Sequence, residues 1–387
     1  MRATPSTLWM YWSVMLLCLS SSLTPAIMSS ALASPKATLV LSPEQVTSWL
    51  NAQRGVQRFT VDVPGTLKGE SVIEVRSDAR HIDLYDSADV FSHGRRASDQ
   101  HRVSHKRFQA HPPYALLSAE WYELKEGEAR VGAWRATDIG QSRGEWREAP
   151  AQVIRRSERR GEHEGVTLAG ALWRSALPGR PLEVPETLIS HVGPHLLTLG
   201  QSIEVSELNW GALQRYTLSV LDQRLNRPHA QGSKWVELLE VKVIASSGQV
   251  SRLLRSTQGR LLSASASDQV SLTATPPLIS DLRSMSALLR ARGSLSEQEL
   301  QRAMSPAREG FSACSKRYNK QRSTFTTRTL RLHLDAKGEL TSVGFYNAEG
   351  WGELERCLAH EVTRLHFPTP QGGEALIKYP LRFQPSR

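Results

Sequence analysis

Leu330-Arg-Leu-His-Leu-Asp-Ala-Lys-Gly338-Glu-Leu-Thr-Ser-Val-Gly-Phe345 decides the reading of the C-terminal part of the chain. Leu330, Leu332 and Leu334 alternate with Arg331 and His333, the period of a strand with one apolar face. Asp335-Ala-Lys-Gly338 supplies a hairpin loop with glycine where a left-handed residue is needed, and Val343 and Phe345 ride the returning strand. Upstream, Ser296-Glu-Gln-Glu299 is a capping box with Leu295 and Leu300 at staple positions, and Ser305-Pro306 opens a second helix with Phe311, Cys314 and Tyr318 along one side. Downstream, Leu354, Cys357, Leu358, Val362 and Leu365 share one helical face. Ala375, Ile377, Tyr379, Leu381 and Phe383 then alternate on a last strand. This order predicts an ααββαβ unit with a three-stranded antiparallel sheet, the last strand beside the first.

The chain holds three cysteines. Cys18 lies in an apolar leader from about Leu8 to Leu23, followed by Ala31-Leu-Ala33, the pattern of a secretory signal peptide over residues 1–33. A retained anchor is the alternative. Cleavage leaves Cys314 and Cys357 in an oxidising compartment, where a lone pair is expected to form a disulfide.

At 387 residues more than one domain is expected. A composition 40% apolar and 22% charged is that of a folded soluble protein, not a disordered tail or a multi-span membrane protein. The net charge of +10 would suit an anionic partner, including a membrane surface. It is spread along the chain, with no long polybasic block and no basic-aromatic stripe, so no nucleic-acid partner is expected.

Residues 34–110 start with a helix capped by Ser42-Pro-Glu-Gln45, continue as short strands, and end in a basic, histidine-rich stretch that reads as a loop. Residues 111–275 read as an antiparallel β domain, a curved or barrel-like sheet, with a hairpin at 121–134 and strands at 152–154, Tyr216–Leu221 and Trp235–Ile244. Ile279, Leu282, Met285 and Leu289 suggest a linker helix within 276–293, and residues 294–387 complete the chain. The fold class expected is therefore α+β, a β-rich middle domain followed by the small mixed unit.

That C-terminal unit resembles the TonB-like C-terminal domain of the AgmX/PglI type, found in gliding-motility and envelope-complex proteins of Gram-negative bacteria. The resemblance rests on Leu295-Ser-Glu-Gln-Glu-Leu, the helix reaching Cys314, the Leu-x-Leu strand into Asp335-Ala-Lys-Gly338, Cys357 in the next helix, and Phe367-Pro-x-Pro-x-Gly-Gly373 before Tyr379-Pro-Leu-Arg-Phe383. It covers the last quarter of the chain. Asn319-Lys-Gln-Arg-Ser stands where the pattern has proline and glycine, and no proline-rich spacer precedes the unit. The resemblance implies a non-enzymatic, exported protein, periplasmic or outer-membrane-associated, binding a protein partner in an envelope complex.

Strand addition at the edge Ala375 to Phe383 is the expected route, with Lys378, Tyr379, Arg382 and Phe383 as contact residues. The alternative is a lipid- or glycan-binding β domain lined by Trp121, Trp134, Trp173 or Trp235. No catalytic residue, metal set or cofactor is predicted. There is no Walker or dinucleotide glycine pattern. His101 and His105 are spaced like ligands on a helix but lack a completing set, His191 and His195 are separated by Gly193-Pro194, and His360-Glu361 has Arg364 where a second ligand histidine would stand.

Overall fold

The computed structural model describes residues 39–63, 67–92, 100–125, 128–151, 178–266, 270–318, 326–346 and 350–383. The leader with Cys18, Trp173, the strand expected at 152–154 and the Asn319–Ser323 stretch lie outside the described residues.

Eight strands come first: β1 (Val56–Val63), β2 (Leu67–Ser77), β3 (His81–Ser92), β4 (Gln100–Gln109), β5 (Leu116–Lys125), β6 (Glu128–Asp138), β7 (Arg143–Ala151) and β8 (Arg180–Glu183). Six follow: β9 (Ser202–Asn209), β10 (Ala212–Asn226), β11 (Val236–Ala245), β12 (Val250–Ser256), β13 (Leu261–Ala266) and β14 (Val270–Thr275). The last three are β15 (Thr326–Leu334), β16 (Leu340–Tyr346) and β17 (Ala375–Phe383). The helices are α1 (Pro43–Ala52), α2 (Ile189–Val192), α3 (Met285–Leu288), α4 (Glu297–Met304), α5 (Arg308–Tyr318) and α6 (Glu353–Val362).

All seventeen strands among the described residues belong to one antiparallel sheet. Neighbours in sequence pair from β1 to β8, β1 closes onto β14 with Phe59 opposite Ala274, and the ladder continues back through β13, β12 and β11 to β10. Strand β10 then carries two partners on one side. Ala212–Ser219 pair with β9, and Arg224–Asn226 pair with β16, beyond which lie β15 and β17. The ladder is not closed: among the described residues β8, β9 and β17 are each laddered on one side only.

This overturns the α+β expectation. The protein is β-dominated, and the three C-terminal strands extend the large sheet through β10 instead of forming a sheet of their own. Two features hid this. Strand β10 does not stop at Leu221 but runs on through Asp222-Gln-Arg-Leu-Asn226, whose polar residues are buried. The basic stretch expected to be a loop contains β4, a ten-residue strand inside the sheet. The linker helix is also shorter than expected, since only Met285–Leu288 are helical.

The sheet curls over two cores. One joins Phe108, Trp121, Trp134, Trp146 and Leu208 with Val46 and Trp49 of α1, whose Ser42–Gln45 capping box is formed. The other is built from β1 and β9–β14 around Val241, Val243 and Tyr216. A third core lies between the β15–β17 face and helices α4–α6. There Cys314 of α5 is bonded to Cys357 of α6, with Cα atoms 5.8 Å apart. Gly338, at φ +86°, lets the β15–β16 turn pass beneath Pro368, whose carbonyl oxygen a Cβ would meet at 2.6 Å. Among the described residues, no helix is long and apolar enough to cross a membrane.

Candidate functional site

The curled sheet brings β9 back against the wall formed by β4–β8, and side chains, not backbone pairs, fasten it there. Alternation along β4 turns Arg102, Ser104, Lys106 and Phe108 to the inside. Lys106 Nζ donates to Glu186 Oε1 at 2.9 Å and to Glu207 Oε1 at 2.7 Å, all three side chains being at most 2% exposed. Glu186 Oε2 accepts the Leu208 N–H at 2.6 Å, and Arg102 reaches Asn209 Oδ1 at 2.8 Å. Arg180 holds the Gly211 carbonyl at the hairpin tip. The tip itself is Trp210-Gly211, with φ +46° and +66°, the left-handed pair of a two-residue hairpin turn. Trp210 packs against Trp121 and Trp146 beneath the Arg130 guanidinium, 4.2 Å from its ring centre.

Burial, with Glu186 adding its negative charge, pushes the Glu207 carboxyl up to about 7 against the pull of Lys106. Burial also acts on Glu186, yet Lys106, His191 and the Leu208 N–H outweigh it and hold that carboxyl below its ordinary value. Glu186, His191 and Glu207 have the mutual spacing of a metal set, within 4.8 Å. The Lys106 ammonium already bridges the two carboxylates, so the arrangement is that of an internal ion cluster.

A second buried network joins the sheet to the C-terminal unit. Asp222 of β10 takes both Arg224 and Arg331, the latter from β15. Glu240 faces Arg224 at 3.3 Å and Arg252 at 2.8 Å, and accepts the Met285 N–H. Arg283 ties Asp281 to Glu374, each at 2.7 Å. These contacts fix the position of β15–β17 on the sheet.

Of the histidines expected on a loop, His101 and His105 are on β4, His111 lies just beyond it and His93 is outside the described residues. His101 contacts Asp89 at 2.7 Å. His105, only 4% exposed, stacks on Tyr85 and contacts Asp83 at 2.7 Å with Glu120 at 3.8 Å. Burial opposes the charged ring there, but the two carboxylates keep the His105 pKa above its ordinary value. His191 ends α2 and lies 3.8 Å from Glu186, while His360 and His366 are exposed at the end of α6. Trp121 and Trp134 are packed in the first core and Trp235 against the third, so they do not line one common wall.

The residues expected to bind a partner divide by side. Lys378 and Arg382 are exposed, Tyr379 is half-buried, and Phe383 is buried in the third core. The backbone decides which groups are offered. Gly293 N–H donates to the Glu374 carbonyl at 2.6 Å, on the edge away from β15. Strand groups alternate sides, so Leu376, Lys378, Pro380 and Arg382 turn theirs outward, while Ala375, Ile377, Tyr379, Leu381 and Phe383 face β15. Pro380, without an N–H, stands where a strand tolerates it.

No family model matches the chain, and no curated protein matches it. Among solved structures it is similar to a β-barrel-like protein of a domain of unknown function, DUF1849, from Brucella abortus. The identity is 8% and the TM-score 0.35, over 58% of this chain and 94% of that one. At that distance the likeness bears on no residue of this chain.

Proposed function

We propose that this is a non-enzymatic protein of the cell envelope that binds a protein partner by adding a strand to the outer edge of β17. The observation that carries the reading is the outward row from Lys378 to Arg382, where no further strand is laddered on that edge among the described residues and the Lys378 and Arg382 side chains are exposed. With Tyr379 half-buried and Phe383 buried, recognition depends on the backbone and on these two cations. The disulfide fits an exported protein, since such bonds persist in oxidising compartments.

Removal of residues 294–387 would be a poor test, because it strips β16 from β10 and leaves Asp222 without Arg331. Lys378→Pro is better: it deletes an outward N–H and leaves the β15 ladder intact. A photo-crosslinker at position 382 should capture a partner in the native host, and Lys378→Pro should abolish the adduct. An undiminished adduct refutes strand addition.

A further inference from the structure

We infer that Glu207 is a proton-operated latch for the β9–β10 hairpin, which seats in the β4–β8 wall when the carboxyl is protonated and loosens when it ionises. This stands apart from the docking reading and does not need it. The geometry is that of two buried carboxylates sharing one ammonium. Lys106 Nζ lies 2.9 Å from Glu186 and 2.7 Å from Glu207, and the second Glu207 oxygen, Oε2, has no hydrogen-bond partner among the described residues. Glu186 is the better served, since its other oxygen takes the Leu208 N–H. When Glu207 ionises, the cluster gains a charge that is not hydrogen-bonded at one oxygen and faces Glu186 across the ammonium.

Every element around it contributes. Strand β4 brings Lys106 and Arg102, and Arg102 also feels Asp86 of β3, Glu123 of β5 and Arg130 of β6. The segment leading into α2 brings Glu186, α2 itself brings His191, and β12 brings Arg255, whose guanidinium donates to the His191 carbonyl. Burial lowers the His191 pKa, so its ring supplies no cation at neutral pH. Asp86, raised to about 6 by burial, titrates in the same direction as Glu207.

The hairpin is the element placed to respond. Beside the packing of Leu208 and Trp210 in the first core, its tip is held to the wall by polar contacts: Glu207 on Lys106, the Leu208 N–H on Glu186, Asn209 on Arg102, and the Gly211 carbonyl under Arg180. Breaking the first of these costs the ladder nothing, because β9 keeps its pairing with β10.

The direction follows from linkage. A carboxyl that holds its proton more tightly when closed than when open makes opening rise with pH, about tenfold per unit, between the open pKa and the closed one. The rise runs from the ordinary carboxyl value up to about 7 and levels above it. The test is hydrogen exchange of the full chain at pH 5, 6, 7 and 8, corrected for intrinsic rates and read at Leu208 and its neighbours in β9. Wild type should open about tenfold more per unit from pH 5 to pH 7 and then level. Glu207→Gln should be at least tenfold less responsive over that span. Glu186→Gln, which keeps an acceptor for Leu208, frees Lys106 for Glu207 and should flatten the rise too, giving a second reading if the first variant folds poorly. An unchanged slope in the variants overturns the latch. So does exchange of β9 in step with β11–β13 at every pH, which would mean global opening only.

Discussion

Replacing Cys314 and Cys357 together by alanine opens a bridge with a sequence separation of 43 residues. On the loop-entropy account that bridge is worth about 4 kcal/mol, comparable with the whole stability of many domains, roughly 5–15 kcal/mol. The loss should be felt first where α5 packs on α6, around Phe311, Leu358 and Val362, while β15 stays tied to β10 through Arg331 and Asp222. With a urea dependence of about 1–3 kcal/mol per molar, the midpoint should fall by about 1.3–4 M. Urea unfolding followed by circular dichroism, with hydrogen exchange over 308–383, reads both size and place. Dithiothreitol should shift wild type to the variant and leave the variant alone. A shift below about 0.5 M, or one that dithiothreitol produces equally in the variant, refutes the staple.

Lys106→Met leaves Glu186 and Glu207 buried without their cation and should cost about 3–5 kcal/mol in melts at pH 7.4. Part of that loss should return at pH 5 as the carboxyls take up protons. His105 is held above its unfolded value by Asp83 and Glu120, so its contribution is full below about pH 6.5 and fades as pH rises through the folded pKa. The melting difference between wild type and His105→Gln should therefore shrink from pH 6 to pH 9. Gly144→Ala drives a Cβ to 2.3 Å from Trp134 and 2.5 Å from the Arg135 carbonyl, and chemical denaturation should show a loss of about 1–3 kcal/mol.

Local grammar was legible in the chain. The Ser42 and Ser296 capping boxes, the Asp335–Gly338 turn and the cysteine pair were all readable, because each depends on residues close in sequence or on a count. The single sheet was not legible. Its joins are β1 with β14, where Phe59 meets Ala274, and β10 with β16, where Leu225 meets Val343, and no local pattern marks such partners. Strand β4 was missed for another reason. With His105 and Arg107 on one face and Arg102 and Lys106 on the other, no apolar period survives, although the inward cations are paired within the fold. The charged seam went unseen with it, since Lys106, Glu186 and Glu207 lie 80 and 101 residues apart. The only signal available was the run of charge next to strands, which equally describes a solvated loop.

The docking claim is tested most directly at two amides of β17. Hydrogen exchange should be measured on the unsubstituted full chain alone and with the added partner, once capture through position 382 has identified it. Lys378 and Arg382, which point outward, should exchange fast in the free protein and become protected with the partner bound. Ile377, Tyr379 and Leu381, already paired with β15, should be slow in both. A bound partner that leaves Lys378 and Arg382 unprotected contradicts strand addition at this edge.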